Sequence, residues 1–206
     1  MKKVNRPQKI KIKSPKKYHI NNKGLTIVYY GDGKGKTTAA LGAVLRATGE
    51  GWKCAIYQFI KGPWPSAERE SIKKYLPELA TIETGGKGFV GIMGDKLPED
   101  AHRKSARALF ERVISNFQLP ISNEISNSKL PTLLVLDELL DAVELGFIKE
   151  NEVVDLIKQK NTDTHIIITG HKKYPLIFSA ADLVTEMKKI KHPFDQGFLA
   201  IKGLDY

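Results

Sequence analysis

The sequence predicts a layered α/β fold around a mostly parallel central sheet. Three observations carry this expectation. The runs "TLLVLDELL" and "THIIITG" are strongly apolar with little alternation, as in strands buried on both faces. Between such runs lie stretches whose apolar residues recur at helical spacing. Strand and helix patterns alternate along the body of the chain, which is the signature of helices layered on a parallel sheet.

The elements follow in order. "LTIVYY" reads as a strand that ends at a glycine loop, and a helix should run from about Lys36 to Thr48, closed by Gly49 and Gly51. "KCAIYQFI" is a second strand. "SAERESIKKYL" is a helix opened by Ser66 as N-cap and stopped before Pro77. "ATIET" is a short strand that leads into the glycine-rich "GGKGFVGIMG". A long helix spans about Pro98 to Phe117, with Ala106, Leu109, Phe110, Val113, Ile114 and Phe117 forming one apolar stripe and Pro98 suited to the first turn. "PISNEISNSKLP" is a polar surface loop. The two strongly apolar runs are central strands, and "DLVTEM" and "FLAIKG" are expected to close the sheet. No internal repeat interrupts this order.

The length of 206 residues suits one domain with a sizeable core. No apolar run approaches the roughly 20 residues needed to span a membrane. A single cysteine, Cys54, makes neither an internal disulfide nor a zinc ribbon. These features point to a cytoplasmic protein. The net charge of +10 is unevenly placed: residues 1–23 carry nine Lys or Arg and no acid, leaving 24 basic and 23 acidic groups in the rest. Residues 1–23 are therefore a basic arm and 24–206 a nearly neutral domain, a balance that argues against a nucleic-acid reader. A charge block such as residues 1–23 reads first as a solvated or partly disordered arm, although "KIKIK" alternates like a strand and could order against a partner or ligand.

The motif that carries chemistry is "GDGKGKTT", placed between a strand and a helix. That is the context of a phosphate-binding loop. Its upstream glycine, Gly31, lies one residue closer to Gly35 than the usual G-x-x-x-x-G-K-[ST] spacing. Gly31, Gly33 and Gly35 let the backbone adopt positive φ and approach a ligand, while Asp32 and Lys34 lie between them. Successive N–H groups and the helix N-terminus then converge on phosphate. Lys36 neutralises charge, Thr37 can hold Mg2+ through its hydroxyl, and Thr38 follows in the first turn. Asp137 and Glu138 end an apolar strand, at the sheet edge where open α/β folds bind ligands, and should approach the metal directly or through water. Arg46, ten residues after Lys36, reads on its own as a surface arginine. His165, His171 and His192 have no metal-ligand spacing. These residues predict Mg-ATP binding but leave the fate of the ATP open among a nucleotide switch bound to nucleic acid, a nucleoside kinase and other uses.

Beyond the loop, the chain resembles the P-loop type of ATP:corrinoid adenosyltransferase from about Gly24 to Tyr206. The resemblance rests on "GDGKGKTTAALG", "YQFIKGPWPSAE", "GGKGF", "LLVLDEL", "IIITGH" and "AADLVTEMKKIKHPFDQGFLAIKGLDY", in that order. The compact glycine spacing is a trait of that family. The resemblance implies a three-layer, RecA-like P-loop fold and a triphosphate held in a reversed sense. It implies transfer of the adenosyl group of Mg-ATP to the cobalt(I) of cob(I)alamin or a precursor corrinoid, with triphosphate leaving. By that likeness Lys36, Thr37 and Glu138 are catalytic, with Thr37, Glu138 and Asp137 at the metal. Gly31 to Thr38 bind the nucleotide, and Arg46 becomes a nucleotide contact. Phe89 matches the family's corrinoid-binding phenylalanine, while Gly91 stands where the family has tryptophan. Ile92, Met93 or Tyr18 is a candidate to fill that gap. The family further implies a flavodoxin-like or flavin reductant, a homodimer, and an N-terminal arm that folds over the site.

Overall fold

The computed structural model describes residues 23–62, 66–88, 97–117 and 131–205. Six strands form one sheet: β1 (Thr26–Tyr30), β2 (Cys54–Gln58), β3 (Ala80–Thr84), β4 (Leu133–Asp137), β5 (His165–Gly170) and β6 (Leu183–Glu186). Their spatial order is β3-β2-β4-β5-β1-β6, and every pairing is parallel. Six helices connect them: α1 (Lys36–Gly49), α2 (Ala67–Tyr75), α3 (Glu99–Phe117), α4 (Leu139–Glu144), α5 (Glu150–Gln159) and α6 (Pro175–Ala180).

Alternate residues of the central strands feed two separate cores, which makes the three layers. Leu133 and Val135 of β4, with Ile56 and Ile167, pack against Ala40, Val44 and Ala47 of α1 and Ile72 of α2. Leu134 and Leu136, with Ile166 and Ile168, pack on the opposite face against α3 and α5. Both β2 and β4 are buried along their whole length, as their unbroken apolar runs require. The α3 stripe is buried at Ala106, Leu109, Phe110 and Val113, with Ile114 half-buried against them. Each fully buried Leu or Ile contributes about 1.5–3 kcal/mol.

The predicted helix boundaries hold to within a residue, with small differences at the caps. Pro98 precedes the helix instead of opening it, and its carbonyl accepts the N–H of Ala101 at 2.9 Å. Ser66 occupies the N-cap of α2, but its side chain makes no capping hydrogen bond. "FLAIKG" is not a strand. The chain leaves β6, passes a short 3-10 turn at Pro193–Gln196, and reverses at Gly197 in the left-handed region. Two amides of "FLAIKG" are spent locally: Phe198 N–H donates to Pro193 O at 3.2 Å, and Ile201 N–H to Asp205 Oδ2 at 2.6 Å. β6 is therefore the sheet edge, and all four of its residues are exposed. Nearly all of the basic arm and the loop bearing Phe89, Gly91, Ile92 and Met93 lie outside the described residues, as do Tyr18 and most of the polar loop before β4.

Candidate active site at the carboxyl edge of the sheet

The glycine loop runs between β1 and α1. Gly31 and Gly35 have φ of 118° and 112°, a region that side chains rarely adopt. Gly33 is fixed by close approach: its N–H donates to Met187 O at 2.7 Å, and a Cβ there would lie 2.7 Å from the Met187 carbonyl carbon. Lys36 Nζ donates to the carbonyls of Gly31 at 2.8 Å and Gly33 at 2.9 Å, folding its ammonium back over the loop. Burial lowers the Lys36 pKa, and Asp141, Glu138, Asp32 and Asp137 oppose that shift. The exposed Asp32 accepts the backbone N–H of Lys189 at 3.1 Å, and Lys34 is ion-paired with Asp205. The tail after β6 thus straps the loop at three points.

Asp137 ends β4 and is 1 % exposed. Its Oδ1 accepts the hydroxyls of Thr37 and Thr169, each at 2.8 Å. Its Oδ2 accepts Gln58 Nε2 at 3.2 Å and lies 3.4 Å from Lys61 Nζ. Glu138 turns the chain from β4 into α4 at φ 60°, ψ 24°, the sole non-glycine residue at positive φ among the described residues. Such backbone strain clusters at functional sites. Glu138 Oε2 is buried without a hydrogen-bond partner. Burial pushes the Glu138 carboxyl up to about 7, and the neighbouring Asp137 adds to the rise. A buried carboxylate oxygen without a donor, beside a second carboxylate, fits a cation. The Thr37 hydroxyl gives its proton to Asp137 and keeps its lone pairs for the same ion. No cluster of three or more His, Cys, Asp or Glu stands ready for a metal among the described residues. Mg2+ typically needs only one or two protein ligands besides phosphate and water.

Sequence reading alone missed several neighbours of these groups. Lys61, beyond β2, reaches Glu68 at 3.0 Å as well as Asp137. Burial would lower its pKa, but Asp137 and Glu68 raise it. Burial likewise opposes ionisation of Glu68, yet the neighbouring Ser66 hydroxyl and the Lys61 ammonium outweigh it and bring the carboxyl down to about 2. A carboxyl depressed on folding stabilises the fold above its unfolded pKa near 4.5 and loses that contribution as pH falls toward 2. Glu68→Gln should therefore flatten the loss of stability between pH 5 and pH 2 by on the order of 2–3 kcal/mol. Urea unfolding of both proteins across that range checks it; parallel curves would remove Glu68 from the linkage.

Thr169 and His171 come from the end of β5. Thr169 accepts the Glu138 N–H at 2.9 Å while its own hydroxyl is given to Asp137. His171 pairs with Asp141 of α4 at 2.9 Å. His165 and His192 are structural: His165 accepts Leu25 N–H and stacks on Trp52, and His192 accepts Phe194 N–H. Glu68 comes from the first turn of α2, while Lys61, Thr169 and His171 stand at or just beyond the carboxyl ends of strands, inside "YQFIKG" and "IIITGH". That position was the signal that could have found them.

Together these elements line a cavity of about 420 Å³. Lys34, Gly35, Lys36, Thr37 and Thr38 form one side, with Lys61 and Glu68, Glu138, and Thr169 and His171 around it, and Leu204 and Asp205 arrive from the tail. Of the predicted residues, Lys34 to Thr38 and Glu138 line it. Asp137 is buried behind the lining, held to it through Thr37, and Gly31, Asp32 and Gly33 are not in the lining. Arg46 does not line the cavity; it is exposed in the last turn of α1. Among the described residues, no helix is long and apolar enough to cross a membrane.

Residues 22–206 match the family model described as ATP:corrinoid adenosyltransferase BtuR/CobO/CobP. The chain is 34% identical over 187 residues to a corrinoid adenosyltransferase of Sinorhizobium sp, covering 90% of this chain and 82% of the relative. It is 33% identical to the corrinoid adenosyltransferase of Escherichia coli (strain K12), covering 90% and 87%. It is 32% identical to corrinoid adenosyltransferase CobA of Salmonella typhimurium (strain LT2), covering 89% and 86%.

Proposed function

Because the chain belongs to the BtuR/CobO/CobP family of ATP:corrinoid adenosyltransferases, we propose that it alkylates the cobalt(I) of a corrinoid with the 5′-deoxyadenosyl group of ATP. The cobalt lone pair forms the carbon–cobalt bond at C5′, the C5′–O bond breaks, and inorganic triphosphate leaves with its electron pair. The observation that supports this reading is the compact glycine loop, with Lys36 folded over it and Lys36, Thr37 and Glu138 lining one cavity.

The nucleophile carries no proton, so the chain's work is positioning and neutralising the leaving group. The N–H groups of Gly31 to Thr38, including those of Asp32 and Lys34, would cradle the triphosphate. Lys36 would exchange its two loop carbonyls for phosphate oxygens. Thr37 and Glu138, with Asp137 close by, would hold Mg2+, which when bound supplies positive charge to the triphosphate. Thr169, Gln58 and Lys61 hold Asp137 in orientation. Arg46 would reach the nucleotide from α1 only if the ligand extends beyond the cavity. Phe89, with Gly91 in the tryptophan position, would face the corrin. The corrinoid would be cob(I)alamin or a precursor, reduced by a flavodoxin-like protein or reduced flavin. We place the reaction in the cytoplasm and on residues 24–206 of a homodimer, with the basic arm folding over the site.

Incubation with Mg-ATP, cobalamin and a strong reductant should give adenosylcobalamin and triphosphate in equal amounts. The absorbance change of the corrinoid and chromatography of the nucleotide products report both. ADP with a phosphorylated nucleoside, or ATP loss without an alkylated corrinoid, would overturn the reading.

A further inference from the structure

His171 and Asp141 form a pair that no step above uses. Gly170, at the end of β5, packs so closely on α4 that a Cβ there would collide with Leu140. This contact brings His171 against Asp141. Asp141 Oδ1 accepts both the backbone N–H of His171 at 2.9 Å and its Nδ1 at 2.9 Å. A carboxylate can only accept, so Nδ1 carries a proton. The ring is thereby fixed in one tautomer and orientation, and Nε2 is the nitrogen left for a ligand.

The ring lines the same cavity as Lys36, Thr37 and Glu138, and its side chain is 55% exposed. The hydrogen bond to Asp141 raises its pKa; burial and Lys36 oppose the rise, and Glu138 adds to it. A purely structural tie between β5 and α4 would not require the imidazole, because the backbone N–H of His171 already bonds the same oxygen.

We infer that His171, held by Asp141, is a phosphate-binding residue that contacts the triphosphate through Nε2 on the side of the cavity bordered by β5 and α4. The inference rests on the proposed use of ATP. It adds to Lys34, Lys36 and Lys61 a cationic group carried at the end of β5. The pair's acidic partner favours the imidazolium over the neutral ring, while Glu138 and Lys36 are the other charges that face it.

The test is titration calorimetry of the full chain with inorganic triphosphate and, separately, adenosine, each with Mg2+ present, at pH 6 and pH 8.5. His171→Gln should weaken triphosphate binding roughly tenfold at pH 6, the scale of one charge-assisted hydrogen bond. It should leave adenosine binding unchanged. His171→Lys should keep the affinity at both pH values. Ionisation of triphosphate itself is common to all variants, so an affinity loss specific to the parent protein between pH 6 and 8.5 reports the imidazolium. Asp141→Asn should move that loss to lower pH. Thermal melts confirm that each variant is folded.

Equal triphosphate affinity in the parent protein and a folded His171→Gln would overturn the inference, as would no triphosphate binding by the parent. Parallel loss of triphosphate and adenosine binding, without rescue by lysine, would show a structural tie only. If these binding results hold but no corrinoid is alkylated, the phosphate contact stands and the proposed reaction fails.

Discussion

Replacing Lys36 by alanine is expected to lower turnover roughly 10²–10³-fold and weaken ATP binding, the scale seen when one preorganised charge stabiliser is removed from a transition state. The fold should survive. In the ligand-free protein Lys36 bonds two carbonyls of its own loop, so its removal leaves the Gly31 and Gly33 oxygens without those donors. That loss is on the order of 1 kcal/mol, equivalent to a melting temperature about 2–4 °C lower. The large effect should fall on kcat and kcat/KM together, because the charge that Lys36 opposes grows as the triphosphate leaves. Steady-state adenosylation kinetics beside a thermal melt separate the two effects. Unchanged kinetics would remove Lys36 from the site.

Asp137→Ala should be the most destabilising change at the site, by about 3 kcal/mol or more. Thr37, Thr169 and Gln58 all donate to this carboxylate, and Lys61 pairs with it. Alanine would leave those donors facing a cavity and Lys61 with Glu68 as its remaining acidic contact. The lower part of the usual range applies because Lys61 keeps that partner and 27% of its exposure. Asp137→Asn preserves the volume and the acceptor toward the two threonines, so it should fold. It should bind ATP with little response to added Mg2+, since one of the two neighbouring negative charges is gone. Urea denaturation measures the first variant and Mg2+ titration of ATP binding the second. An Asp137→Ala protein as stable as the parent would show that the four contacts carry no net stability.

These two residues were both readable from the sequence, and for different physical reasons. Lys36 sits in a local motif whose spacing alone implies a phosphate cradle. Asp137 was legible as the end of an apolar strand, because strand ends are where an α/β sheet exposes its ligand edge. Of its four partners only Thr37, grouped with it at the metal, was legible. Gln58 and Lys61 belong to or follow β2, Thr169 belongs to β5, and Thr37 to α1; they meet because β4 lies between β2 and β5. Nothing in local periodicity states which strands become neighbours. The misread "FLAIKG" has a related cause. Its apolar content suits a strand, but the chain reverses at Gly197, and the Phe198 and Ile201 amides bond locally to Pro193 and Asp205.

Apart from α4, α5 and α6, which went unread, what the sequence determined by itself is the six strands, the helices α1 to α3, their layering and the phosphate loop. These depend on periods of two and 3.6 residues and on glycine spacing, all set by short-range sterics. What only the tertiary structure decided is the company kept at the sheet edge. That includes the four-way satisfaction of Asp137, the strained turn at Glu138, the His171–Asp141 pair and the tail strapped over the loop. Each joins residues far apart in the chain, and each is fixed by strand order and close packing. Arg46 marks the same division from the other side: adjacency to the loop in sequence did not bring it into the cavity, because the helix carries it away from the edge.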